Sequence, residues 1–137
     1  CTSRRYHEGM TKTLHQVYLM VTDIERSVAF YEDALGFTLA ERSERKATFE
    51  TGRCSLVLQA DFDEPTLAAF GLEPPGERRG DGLIVVVDVD DVEAVHDRAE
   101  SAGASIPSPP RTVDWGREMM LVEDPDGYVL EISRPLD

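Results

Sequence analysis

The chain has 137 residues, of which 41% are hydrophobic and 30% charged, and this composition suits one globular domain with a single core. Its formal net charge of -13 disfavours binding to the phosphate backbone of nucleic acid. No window approaches the roughly 20 apolar residues of a membrane span, and no signal-peptide pattern is visible, so a cytoplasmic location is expected. The two cysteines, Cys1 and Cys54, are too far apart in sequence to predict a disulfide framework or a zinc site.

Residues 14–60 predict a first βαβββ module. An apolar, β-rich run at residues 16–21 is followed by Asp23, which can cap a helix. Apolar residues then recur at helical spacing until Gly36, which supplies a C-terminal stop: Ile24, Val28, Tyr31 and Leu35. Three short strands are predicted after the helix: 37–42, 47–51 and 55–60.

Residues 83–135 repeat this pattern as a second βαβββ module. A β-branched run at 83–87 precedes a capping-box pattern formed by Asp90 and Glu93, with Asp91 as the other candidate cap. A helical stripe follows and ends at Gly103: Val92, Val95, Ala99 and Ala102. Strands are predicted again after it: 105–106, 119–122 and 128–133. Asp91 follows Asp23 by about 68 residues, the offset that superposes the modules.

The two modules are joined by a linker at residues 61–82, which is rich in Pro, Gly and charge and has a short helix predicted at 65–70. Each sheet has one face covered by its helix and one face left for another use. The chain is therefore predicted to form a single domain of the α+β class, with curved mixed sheets around an open cavity and helices on the outer face.

Two motifs make this chain resemble the vicinal oxygen chelate superfamily, which includes glyoxalases, bleomycin resistance proteins and extradiol dioxygenases. The first is VTDIERSVAFY at residues 21–31 with LGF at 35–37, and the second is DPDGYVLE at 124–131. The resemblance covers residues 14–135. It implies a divalent metal in many members, with a ligand seven residues before the Asp that starts each helix and another four residues after the DPDG turn.

The resemblance assigns these ligand positions to Gln16, Ile84 and Glu131, with Gln59 as the counterpart of Glu131 in the first module. Ile84 cannot coordinate a metal, and amide oxygens with one carboxylate suit Zn, Fe or Ni poorly. His15 is next to Gln16, but the alternation of a strand places the two on opposite faces. The sequence therefore predicts no metal and no cofactor, and if a divalent metal binds, Gln16 and Glu131 are its ligands.

Strand alternation also predicts which side chains face the cavity. They are apolar and aromatic residues with a few polar groups, which is the usual composition of a small-molecule pocket. The predicted ligand-binding residues are Gln16, Tyr18, Met20, Gln59, Trp115, Arg117, Met119, Leu121 and Glu131. The same side chains could instead fill the trough or a dimer interface.

The favoured interpretation is a metal-independent protein that binds an antibiotic or other natural product, aromatic or cationic, and confers resistance by sequestration. The resemblance to the bleomycin-binding branch implies a homodimer with two equivalent pockets at the subunit interface. No catalytic residues are predicted. The alternative is a metal-dependent enzyme of the glyoxalase or dioxygenase type that uses Gln16 and Glu131 as ligands. A third interpretation is a regulatory domain whose trough is closed by a partner protein.

Overall fold

The computed structural model describes residues 12–136 and has the predicted α+β fold. Cys1 and most of the polar arm predicted at residues 1–13 lie outside the described residues. Within the described residues, the chain forms two mixed four-stranded sheets and three helices. It divides into two compact units: the first contains residues 12–28 and 37–74, and the second contains Ala29–Gly36 with residues 75–136.

The first sheet has the strand order β1-β4-β3-β2. Its strands are β1 (Gln16–Val21), β2 (Thr38–Arg42), β3 (Lys46–Glu50) and β4 (Ser55–Ala60). β1 runs parallel to β4, and the other pairs are antiparallel. One side of this sheet is buried, with Leu19, Phe49 and Leu58 at its centre. Phe37 adds an edge-to-face contact to Phe49 at 6.1 Å between ring centroids.

The second sheet repeats this arrangement in the order β5-β8-β7-β6. Its strands are β5 (Ile84–Asp88), β6 (Ser105–Val113), β7 (Arg117–Glu123) and β8 (Val129–Pro135). β5 is parallel to β8, as β1 is to β4. Helix α3 (Val92–Ser101) contacts β6, β7 and β8, and Met120, Leu130 and Ile132 are buried on one side of the sheet.

The first helix, α1 (Ile24–Ala29), continues as a wider π-helical turn over Phe30–Ala34. Asp23 Oδ1 accepts a hydrogen bond from the N–H of Arg26 at 3.1 Å, as the cap prediction requires. The chain leaves the helix at Gly36, whose φ of 77° favours glycine. The side chain of Arg98 on α3 donates to the carbonyl of Asp33 at 2.6 Å, so it satisfies one of the last carbonyls of this helix.

One local prediction differs from the structure, and one open choice between two candidates is resolved. β6, which contains Pro107, Pro109 and Pro110, extends to Val113, whereas the sequence predicted a strand only at residues 105–106. β6 is an edge strand, where proline is tolerated because one side of the strand needs no ladder donor. The cap of α3 is Asp91, which accepts from the N–H of Ala94 at 3.0 Å.

The linker contains the short helix α2 (Glu64–Phe70), capped by Asp63. No helix within residues 12–136 is long and apolar enough to cross a bilayer. Cys54 is a free, partly exposed thiol just before β4.

Candidate functional site

One side of the first sheet carries the side chains predicted to face a ligand, and we call it the Gln16 face. It comprises Gln16, Tyr18, Met20, Lys46, Thr48, Ser55, Val57 and Gln59. Tyr18 is 48% exposed, and the ammonium of Lys46 lies over its ring, 5.8 Å from the centroid. The face therefore offers a cation and an aromatic ring together.

A shallow hollow of about 330 Å³ opens beside the end of the β2–β3 hairpin, lined by Glu41, Arg42, Ser43, Lys46 and Thr48. Lys46 and Thr48 also belong to the Gln16 face, so the hollow extends that face toward the edge of the sheet. The sequence prediction omitted these residues. The alternation of β3 would have placed Lys46 and Thr48 on this face, because residues 46, 48 and 50 pair with Gln59, Val57 and Ser55.

Gln59 is hydrogen-bonded to the main chain in the structure. Its Nε2 donates to the carbonyl of Ala60 at 3.1 Å and to that of Arg45 at 3.2 Å. It pairs with Met20, four residues along β1 from Gln16, which corresponds to about 13 Å. Gln16 and Gln59 therefore share a face but are not brought together.

The corresponding side of the second sheet combines aliphatic and charged residues, and we call it the Glu131 face. It comprises Ile84, Val86, Asp88, Arg117, Met119, Leu121, Glu123, Val129, Glu131 and Ser133. Ile84 and Val86 are each 57% exposed, whereas Met120 and Val122 on the other side are buried. The predicted alternation of β7 is the one observed.

Arg117 holds the polar end of the Glu131 face together. It forms an ion pair with Asp88, and its Nε donates to the hydroxyl of the buried Ser133 at 3.2 Å. Trp115 lies in the turn between β6 and β7 and is 66% exposed. Met119 and Leu121 are half-buried on the same face as Arg117.

A buried carboxyl fixes the turn that leads into β8 and hence to Glu131. Asp124 accepts hydrogen bonds from the N–H groups of Asp126 and Tyr128, both at 2.9 Å, and from the hydroxyl of Tyr31 at 2.8 Å. Burial raises the pKa of Asp124, although these hydrogen bonds oppose the shift. Burial and the nearby carboxylate of Asp124 raise the pKa of Tyr31 well above its ordinary value.

A separate group of potential cation ligands lies on α3, where Glu93, His96 and Asp97 place their ligand atoms within 4.8 Å of one another. Nδ1 of His96 is 3.1 Å from Oδ1 of Asp97. The three residues occupy one turn of a single helix, and both carboxylates are exposed. Solvation explains such a group without any ligand.

The paired βαβββ modules and their motifs define a glyoxalase-type fold. The chain belongs to the Glyoxalase/Bleomycin resistance protein/Dioxygenase superfamily, whose family model matches residues 13–132. This finding confirms the resemblance predicted from the sequence.

The similar proteins within this superfamily are named for different activities or are known by structure. The chain is 29% identical to the lactoylglutathione lyase of Haemophilus influenzae, over 82% of this chain and 85% of that protein. It is 30% identical to the glutathione transferase FosA of Serratia marcescens, over 90% of this chain and 81% of that protein. The crystal structure of TioX from Micromonospora sp. ML1 is similar with a TM-score of 0.72 and 27% identity, covering 91% of this chain and 100% of that one.

The strand register corrects one of the four metal-ligand positions. Glu131 pairs with Val86, the third residue of β5, whereas the residue paired with Tyr18, the third of β1, is Val57. The counterpart of Glu131 in the first module is therefore Val57 and not Gln59.

The four positions implied by the family are then Gln16, Val57, Ile84 and Glu131. Val57 is completely buried and, like Ile84, has no atom that can coordinate a metal. One amide oxygen and one carboxylate do not fit Zn, Fe or Ni, which require more and stronger ligands. The residues present therefore do not fit the divalent metal of the superfamily's enzymes.

Proposed function

We propose that this chain is a metal-independent protein that binds a small molecule, an antibiotic or other natural product, and confers resistance by sequestering it. The observation that carries the proposal is the pair of aliphatic residues, Val57 and Ile84, at two of the four family metal positions. Without a metal to polarise a substrate, the faces retain binding surface but lack the group that starts the family's metal chemistry.

The two faces support binding because they combine apolar surface with a few polar groups. Tyr18 in the first unit and Trp115 in the second are exposed aromatic side chains, each of which can stack on a planar ligand, and Met119 can adapt to a ligand bound on the second sheet. Lys46, Arg117 and Glu131 add charges of both signs at defined places. These features match a ligand with a planar body and polar substituents.

The proposed binding protein is a cytoplasmic homodimer with two equivalent pockets. Light scattering coupled to gel filtration should give twice the mass of one 15.3 kDa chain. A monomer that still binds ligand would remove the dimer from the proposal and leave the binding function.

Trp115 is the only tryptophan in the chain, so its fluorescence reports on the proposed site directly. We expect a panel of aromatic and cationic antibiotics, bleomycin among them, to include compounds that change its emission at stoichiometric concentration. The Trp115→Phe variant removes this signal, and calorimetry then shows whether binding persists. Protein purified without chelator should contain far less than one equivalent of Ni, Zn, Mn or Fe by mass spectrometry.

A second candidate function is a metal-dependent enzyme of the glyoxalase type, with Gln16 and Glu131 as ligands. It is favoured by the similarity to proteins named lactoylglutathione lyase and glutathione transferase, at 29% and 30% identity. About one equivalent of metal per chain, together with formation of lactoylglutathione or a glutathione adduct, would support this function and contradict sequestration.

A further inference from the structure

We propose that Glu131 recognises an organic cation: the ligand carries a protonated amine on an apolar body and places that amine against the Glu131 carboxylate. The inference rests on the proposed function and names the ligand class of the same site. A carboxylate that metal-binding members of the superfamily would give to a metal serves here as the anchor for an ammonium group.

The carboxylate of Glu131 has no partner within the described part of the chain. Among residues 12–136, no hydrogen bond or ion pair involves its side chain, although the residue is half-buried near the centre of its sheet. The two glutamates of the neighbouring strand β7 do have partners. Glu118 pairs with Arg134 at 2.7 Å, and Glu123 accepts from the hydroxyl of Ser105 at 2.9 Å. Glu131 therefore offers an anionic acceptor that a ligand's donor can engage.

Arg117, a cation on the Glu131 face, is already engaged. Arg117 pairs with Asp88 and donates to Ser133, whereas no ion pair joins it to Glu131 within residues 12–136. As far as residues 12–136 are concerned, the carboxylate of Glu131 therefore remains available for the positive group of a ligand.

The surroundings of Glu131 define the rest of the ligand. Val86 and Leu121 are its register partners on the two adjacent strands, and Val129 precedes it on the same face. A bare metal ion or a small hydrated ammonium would gain nothing from these aliphatic side chains. An amine attached to an apolar body would bury that body on them while its charge meets the carboxylate.

The test uses probes of matched shape and different charge on the full chain: phenethylammonium, phenethyl alcohol and phenylacetate. Binding is followed by the chemical shifts of the Trp115 indole N–H and the main-chain amides in isotope-labelled protein. We expect phenethylammonium to bind about tenfold tighter than the alcohol, because a hydrogen bond to a charged partner is stronger than one between neutral groups. Phenylacetate should bind more weakly than both.

The variants Glu131→Gln and Glu123→Gln remove the same charge from the same face, and both leave an amide in place of a carboxylate. Glu131→Gln should bring the amine and the alcohol to within about twofold, while Glu123→Gln should keep the preference of the wild type. Equal losses in both variants would overturn the inference, because they would show a general effect of the acidic surface.

Equal binding of amine and alcohol to the wild type would also overturn the inference but leave the proposed function intact. Failure of these probes and of the whole antibiotic panel to bind would instead remove the proposed function, and the inference with it. Stoichiometric binding of Ni²⁺ that Glu131→Gln abolishes would assign the carboxylate to a metal and contradict both.

Discussion

The hydroxyl of Tyr31 donates a 2.8 Å hydrogen bond to Oδ2 of Asp124, 93 positions away in the sequence. Both residues are buried, and the other carboxylate oxygen is held by the N–H groups of Asp126 and Tyr128. One carboxyl thus joins the π-helical turn to the turn before β8. The conformation of that turn sets the start of β8 and therefore the place of Glu131.

Replacing Tyr31 with Phe should lower the free energy of unfolding by about 1–3 kcal/mol, because a buried carboxylate oxygen loses its donor. Urea denaturation followed by circular dichroism measures the change. Tyr18→Phe is the matched control, since Tyr18 is 48% exposed, and it should change stability by less than about 0.5 kcal/mol. Equal effects of the two substitutions would contradict this role of Tyr31.

Stability should also fall at alkaline pH because of Tyr31. Burial and Asp124 raise its pKa well above 10.0 in the folded protein, so the neutral phenol is the form that the fold stabilises. This contribution is fully present below the unfolded pKa of about 10 and is lost as the pH rises through the higher folded pKa. Urea titrations between pH 8 and 11 should show a smaller decline in Tyr31→Phe than in the wild type, and identical declines would refute the assignment.

Gly80 is predicted to be intolerant of any side chain. A Cβ at this position would overlap the carbonyl of Gly127 and lie 2.9 Å from Cα of Tyr128, and these are backbone atoms that cannot rotate away. Gly80→Ala should therefore destabilise the protein by at least about 2 kcal/mol, at the upper end of overpacking effects. Thermal denaturation measures this change. Gly76→Ala, with open space around its Cβ, is the control and should be nearly neutral.

Ile84→His should create metal affinity if the aliphatic residues at the family positions are what prevents metal binding. Ile84 is 57% exposed, so the substitution should leave the fold intact, and imidazole is a good ligand for Ni²⁺. We expect Ni²⁺ to bind at least about tenfold tighter than to the wild type by calorimetry. Val86→His is the control, since Val86 has the same exposure on the same face but lies outside the family positions; a comparable gain there would count against the explanation.

Strand alternation allowed the faces to be predicted from the sequence. Leu19 and Val21 are buried while Tyr18 is exposed, and Met120 and Val122 are buried while Met119 is not, because a sheet with one covered side requires this period. The capping and terminating residues Asp23 and Gly36 were also readable, since each acts on its immediate neighbours.

Other features could not be predicted because they depend on the register between strands or on contacts distant in sequence. Gln59 looked like the counterpart of Glu131 until the pairing of β4 with β1 placed Val57 there. The edge position that permits prolines in β6 is a property of the whole sheet. The hydrogen bond between Tyr31 and Asp124 could not be predicted, because the two residues lie in different motifs and no local pattern indicates their contact.

The repeat in the sequence is not the unit that packs. Residues Ala29–Gly36 are part of the first βαβββ module in sequence, but they belong to the compact unit that contains the second module. There Tyr31 is hydrogen-bonded to Asp124, and Arg98 donates to the carbonyl of Asp33. In a polypeptide beginning at residue 75, Asp124 would lack the hydroxyl of Tyr31, and Arg98 would lack the carbonyl of Asp33. Severing the linker should therefore destabilise the second unit unless the other fragment supplies Ala29–Gly36 to it.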